Sequence, residues 1–221
     1  MSYLLAIDTT AGTSVALLKD GKVLAELNND LGMKHAELIG DAIQSVFNQT
    51  AIRPQVLDAV VVGRGPALFT GLRVGIAAGM MFAEAAGAQL FGAVSHDAIA
   101  LAIYSTDGNL PQQPLLIHTD GRRGEVYWAL YGGLDSHGLP TLLAGPSVGK
   151  YDEVVESLTL QHGTLTDRTG GATATWVARL AELQLAAGVA SRDTSALYLR
   201  APDASLPKPN QQFGKRVSDD R

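Results

Sequence analysis

The chain has 221 residues, 46% hydrophobic and 18% charged, with 24 glycines, no cysteine and a formal net charge of -5. That balance excludes a disordered polymer, and the lack of cysteine excludes disulfides, iron–sulfur clusters and thiolate zinc sites. Mild acidity argues against wrapping nucleic acid by charge alone and leaves room only for a local basic patch.

Tyr3 to Ile7 reads as a short apolar strand and Ser14 to Leu18 as a second. Asp20-Gly21 is a hairpin signal, and Lys22 to Leu27 alternates with period two as a third strand. The period then changes: Leu38, Ile39, Ala42, Ile43, Val46 and Phe47 recur at helical spacing and predict a helix over Lys34–Gln49. Val56–Val62 reads as a buried strand, followed by a glycine-rich turn, a helix over Gly71–Ala86, a strand over Gln89–Val94 and a helix over Ser95–Tyr104. Three hairpin-linked strands followed by alternating strands and helices predict a mixed sheet flanked by helices.

The polar run from Ser105 to Pro114 predicts a lobe boundary. Beyond it, strands are expected at Leu115–Ile117, Glu125–Tyr131 and Thr141–Ala144, with helices at Tyr151–Leu158 and Ala174–Ala187 and a last strand at Ala196–Leu199. The division is therefore a lobe over 1–104, a smaller lobe over 105–201 and a tail over 202–221 without fixed structure. Each lobe opens with a strand and an Asp-bearing turn, Ile7-Asp8-Thr9-Thr10 and His118-Thr119-Asp120-Gly121. The first apolar run ends at Asp8, too soon for a signal peptide, and Arg73 and Glu84 interrupt the longest one. A soluble, cytoplasmic protein with no membrane contact is expected.

Asp8-Thr9-Thr10 at a strand end has the groups to hold a cation or a phosphate, although Asp and Thr are also ordinary turn formers. The segment Gly63 to Arg73 looks like a phosphate loop, with Thr70 as a possible N-cap, but it lacks the Gly-Lys-Ser/Thr of a P-loop and Pro66 removes one N–H. A structural turn is the better reading. Along the next helix Gly71, Gly75, Gly79, Ala83 and Gly87 recur every four residues and form one smooth stripe. Each glycine there costs roughly 1 kcal/mol against alanine, so the stripe implies close approach, either to the chain's own sheet or to a partner. His35, His96, His118, His137 and His162 show no helical pair with metal-ligand spacing and read as surface or capping residues. Tyr127, Trp128 and Tyr131 read as packing residues on a strand, and Arg122 and Arg123 as a solvated turn able to meet an anion.

Five segments together resemble the TsaB (YeaZ) family: AIDTTAGTSVALLKDGKV, GRGPALFTGLRVGIAAGMMFA, AVSHDAIALA, DGRRGEVYWALY and ALYLRAPDA. The likeness spans about residues 3–203 and departs from the usual pattern at Ala67-Leu68, where Gly-Ser is common. It implies an α/β fold of two lobes with actin-like ATPase (ribonuclease-H-like) topology. It also implies a bacterial cytoplasmic role in making threonylcarbamoyladenosine beside the tRNA anticodon, in tRNAs reading codons that begin with A. In that role the chain has no catalytic residue, metal or cofactor of its own. It pairs with a homologous TsaD-type subunit, is joined by a TsaE-type ATPase, meets tRNA indirectly, and forms a homodimer without its partner. ATP or ADP and metal belong to the partner subunits.

On this reading Asp8, Thr9 and Thr10 are a vestigial phosphate loop. The helices at Lys34–Gln49 and Gly71–Ala86 form the dimer surface, with His35, Ile39, Gly71, Arg73, Gly75, Gly79, Met80 and Ala83 at the interface. Leucine at Gly75 or Gly79 should then block partner binding in a folded chain. The competing reading is a small-molecule kinase or ATPase acting through Asp8 and the Gly63–Gly71 turn. A peptidase is a poor third, because there is neither a histidine pair nor a nucleophile elbow.

Overall fold

The computed structural model describes residues 2–29, 35–106 and 112–200. Two mixed sheets carry the fold. In the first, β1 (Tyr3–Asp8), β2 (Thr13–Lys19) and β3 (Lys22–Asn29) form an antiparallel meander, closed at Asp20-Gly21 as its turn residues demand. Next to β1 lie β4 (Ala59–Gly63) and then β5 (Gln89–Ala93), both parallel, giving the order β3-β2-β1-β4-β5. The second sheet repeats the plan. The meander is β6 (Leu115–Arg122), β7 (Glu125–Leu134) and β8 (Pro140–Lys150), and β9 (Thr166–Thr169) lies parallel beside β6. A meander with a parallel strand beside its first strand, used twice, is the actin-like, ribonuclease-H-like arrangement.

Strand alternation sorts the apolar residues into layers. Leu5, Ile7, Val15, Leu17, Val60 and Val62 face α1 (His35–Thr50) and α2 (Phe69–Ala86). Their alternates, among them Leu4, Ala6, Leu18 and Val61, pack with α3 (Ser95–Thr106) and α5 (Ala174–Ala186). That same core takes in Leu115, Ile117, Ala129 and Tyr131 of the second sheet, so α3 and α5 lie between the two sheets. Leu116 and Leu130 point the other way, onto α4 (Tyr151–His162). Tyr131 donates a 2.6 Å hydrogen bond to the Asp97 carboxylate and ties α3 to β7.

Four expectations change. The expected strands at 115–117 and 141–144 are longer, because the β6–β7–β8 meander pairs out to Arg122 and Lys150. β9 was not expected, since Thr-Asp-Arg-Thr carries no apolar signal; pairing with β6 alone makes it a strand. Residues 196–199 form no strand, and the isolated bridge that follows α5 lies earlier, joining Ser191 to Gly92. Finally, α5 packs against β1, β2 and β4, so the expected second lobe of 105–201 loses its last helix to the first sheet. The tail over 202–221 lies outside the described residues. No helix among the described residues is long and apolar enough to cross a membrane.

Candidate functional site

The C-terminal ends of β1, β4, β6 and β9 meet where the two sheets face each other. They enclose a cavity of about 210 Å³ whose walls include Thr10, Pro66, His96, Thr119, Arg122 and Thr169. Open α/β sheets place ligands at such strand ends.

Asp8 does not open into this cavity. Its carboxylate is buried and fully engaged: one oxygen accepts from the Thr10 N–H at 2.8 Å and the Thr10 hydroxyl at 2.5 Å, the other from the Ser95 hydroxyl at 2.7 Å. Burial pushes its pKa above the usual carboxylate range, against the pull of those three donors. Thr9 is likewise buried and donates to the Gly71 carbonyl at 2.8 Å. Of the three residues only Thr10 faces the cavity.

Gly63 makes the Asp8 arrangement possible, because a Cβ there would stand 1.8 Å from the carboxylate and 2.9 Å from the Ser95 hydroxyl oxygen. Gly63→Ala is therefore expected to cost about 2–3 kcal/mol through overpacking and a broken buried hydrogen bond, read as a lower urea midpoint. An unchanged midpoint would show that Asp8 moves aside freely.

The Gly63–Leu68 turn is structural, as expected. Arg64 N–H bonds the Ala93 carbonyl at 2.9 Å, and the Gly65 N–H lies 3.3 Å from the Ser95 hydroxyl. The turn's carbonyls are also taken, by the N–H groups of Ser95 and Leu197. Thr70 is not the N-cap; α2 begins one residue earlier, and Leu68 holds that position without a side-chain cap.

The cavity's other wall was missed in sequence. Thr169 at the end of β9 and Gly170 just after it line the cavity, and Gly171 packs so tightly on Ala11 that its Cβ would lie 2.4 Å from the alanine's. The available signal was a Gly-Gly pair just before an alanine-rich helix. Among the described residues there is no cluster of three metal-ligating side chains.

The histidines divide. His137 and His162 are exposed, as read, and the side chain of His35 lies outside the described residues. His118 sits 3.2 Å from the Asp167 carboxylate. His96 corrects the expectation of a surface residue: it is wholly buried, with Nε2 3.0 Å from the Thr119 hydroxyl and Nδ1 without a partner. Burial, helped by the charge of His118, lowers its pKa to about 3, so it is neutral at pH 7. Tyr127 and Tyr131 are core residues and Trp128 packs over the α4 side, as read.

The small-residue stripe of α2 faces the chain's own sheet, which corrects half of the expected interface. A Cβ on Gly75 would lie 2.3 Å from the Thr9 hydroxyl oxygen, and one on Gly79 2.2 Å from a Val62 methyl. Ala83 and Ile39 are also buried, and Gly71 is half-buried. What α2 presents outward is Arg73, Ala77, Met80, Met81, Glu84 and Ala85, with Met80 49% and Met81 76% exposed. Of the seven expected interface residues whose side chains are described, only Arg73 and Met80 are on that side.

Residues 29–195 match the family model described as TsaD, tRNA N6-adenosine threonylcarbamoyltransferase. An uncharacterized protein of Mycobacterium leprae is 37% identical over 159 residues, 70% of this chain and 40% of that protein. The proteins named tRNA threonylcarbamoyladenosine biosynthesis protein TsaB from Bacillus subtilis and Escherichia coli are each 33% identical over 129 residues, 58% of this chain and 54% of theirs. The matches thus span 40% to 54% of these relatives' lengths. The solved structure of YeaZ from Pseudomonas aeruginosa shares the fold, with a TM-score of 0.74 at 24% identity over 90% of this chain and 100% of that one. The chain belongs to the family whose model is described as TsaD, tRNA N6-adenosine threonylcarbamoyltransferase.

Proposed function

We propose that this chain is a non-catalytic subunit of a tRNA-modifying assembly. It docks a homologous TsaD-type subunit and, with a TsaE-type ATPase, supports transfer of threonylcarbamoyl to the adenosine beside the anticodon. The observation that carries this reading is the state of Asp8: the one carboxylate at the end of β1 is closed off by Thr10 and Ser95 instead of facing the cleft. Relatives named for threonylcarbamoyladenosine biosynthesis supply the pathway. Nucleotide and metal then sit on the partner subunits, the setting is the cytoplasm, and tRNA is met through those partners.

The docking face is the outward side of α2. A bare Met80–Met81 pair with Ala77 and Ala85 is apolar and adaptable, and methionine-rich helix faces suit helix-on-helix contact. In the partner's absence a second copy of the chain covers the same face. Met81→Glu puts a charge at the centre of the contact, so it is expected to weaken capture of the TsaD-type subunit by at least about tenfold. Measured at a concentration where the chain is monomeric, the melting temperature should not change, because Met81 is 76% exposed. Undiminished capture would move the interface elsewhere. The kinase reading makes the opposite demand, micromolar ATP binding by the chain alone that Asp8→Ala abolishes.

A further inference from the structure

The segment after α5 has no regular structure, yet its partners come from both lobes. The Ser191 carbonyl accepts from Gly92 at 2.9 Å and so covers the edge of the first sheet. Asp193 pairs with Arg64 at 2.6 Å, and Leu197 N–H bonds the Arg64 carbonyl at 2.7 Å. Tyr198 accepts a hydrogen bond from Arg73 of α2, whose guanidinium also lies 5.3 Å from the tyrosine ring. Two residues on, Arg200 reaches the second lobe, donating to the Gly121 carbonyl at 3.1 Å and pairing with Glu125.

Two residues of extended chain span at most about 7 Å. The contact on α2 and the contact on the β6–β7 hairpin are therefore joined by a short tether. The same two places bound the cavity. Pro66, Ala67 and Leu68 lead directly into α2, and Asp120 and Arg122 belong to the hairpin. The hairpin tip is itself held in an uncommon conformation, with Arg122 at φ 63° and Arg123 at φ 59°. Residues other than glycine enter the left-handed region at a cost that the surroundings must offset. Arg200 contacts both flanks of that tip, at Gly121 and Glu125.

We infer that residues 191–200 form a clamp across the two lobes, coupling the outward face of α2 at Arg73–Tyr198 to the hairpin at the cavity mouth through Arg200–Glu125. The clamp rests on the docking reading only in giving Arg73 a place on the partner face; the coupling itself exists in the isolated chain. Allosteric coupling needs two sites and an element that both bias. Here the sites are the α2 face and the hairpin, and the element is the strap.

The test is hydrogen exchange on the whole chain without any partner, followed amide by amide over residues 119–126. Tyr198→Phe removes the bond to Arg73 while keeping the ring. It is expected to speed exchange in the hairpin by about threefold or more, while Arg200→Gln speeds it by about tenfold or more. The charge exchange Arg200→Glu with Glu125→Arg should restore protection relative to Arg200→Gln alone. Hairpin exchange unchanged in Tyr198→Phe would overturn the coupling, and unchanged exchange in Arg200→Gln would overturn the clamp. Because no partner is present, either failure is distinct from a failure of the docking reading, which Met81→Glu reports.

Discussion

Replacing Gly79 with leucine is expected to leave no folded chain, which is more than a loss of partner binding. A Cβ at Gly79 would stand 2.2 Å from the Val62 methyl. Val62 cannot retreat, since β4 is held between β1 on one side and β5 on the other. Alanine alone forces an overpacked contact worth about 1–3 kcal/mol, more than the roughly 1 kcal/mol that alanine gains over glycine inside a helix. Leucine adds three more carbons against the same strand and is expected to exceed 4 kcal/mol, a large share of a stability that typically totals about 5–15 kcal/mol. Soluble yield, far-ultraviolet circular dichroism and urea unfolding check this. A folded, monomeric Gly79→Leu chain that fails only to bind its partner would return the stripe to an intermolecular surface.

Acid should destabilise the protein through His96. Its folded pKa is lowered to about 3 from an ordinary value of 6.5. Between those values the unfolded chain takes up a proton that the folded chain refuses. The contribution is therefore complete above pH 6.5 and is lost as the pH falls toward 3. From pH 7 to pH 4 that loss amounts to about 3 kcal/mol.

Asp97 works in the opposite sense. Burial raises its pKa to about 6 from 3.8, so the folded state binds the proton more readily and gains stability as the pH drops through 6. The two partly cancel between about pH 4 and 6, which is why the comparison must be made between variants. His96→Gln, which keeps a nitrogen in reach of Thr119, is expected to flatten the fall in unfolding free energy by about 3 kcal/mol between pH 7 and 4. Parallel curves for the two proteins would show that His96 is protonated in the folded state.

Much of the fold was legible because its signals are local. The three-strand meander follows from period-two runs and Asp20-Gly21, and α1 from its 3.6-residue apolar recurrence. The glycine stripe was legible as a device for close approach but not as to what it approaches, since a chain's own sheet and a foreign helix ask for the same small residues. Only the Val62 and Thr9 contacts decide that.

His96 was misread although its helical neighbours Ile99, Ala100 and Ile103 place it on an apolar face, which was the sign to follow. β9 and the 191–200 strap carry no periodicity at all. Their structure comes from partners distant in sequence, β6 for one and Arg64, Arg73 and Glu125 for the other. At the site, Asp8-Thr9-Thr10 stands out in sequence as an Asp-bearing turn at a strand end. Its closure depends on Ser95 and Gly63, which no local pattern connects to it.

The most direct test of a non-catalytic docking subunit is reconstituted threonylcarbamoyl transfer to tRNA by the TsaD-type and TsaE-type proteins, with this chain supplied as Asp8→Asn or as Met81→Glu. Asparagine at position 8 can still accept from Thr10 and donate to Ser95, so that variant keeps its fold. Full modification is expected with Asp8→Asn and a loss of at least about tenfold with Met81→Glu. Modification abolished by Asp8→Asn and untouched by Met81→Glu would contradict a non-catalytic docking role.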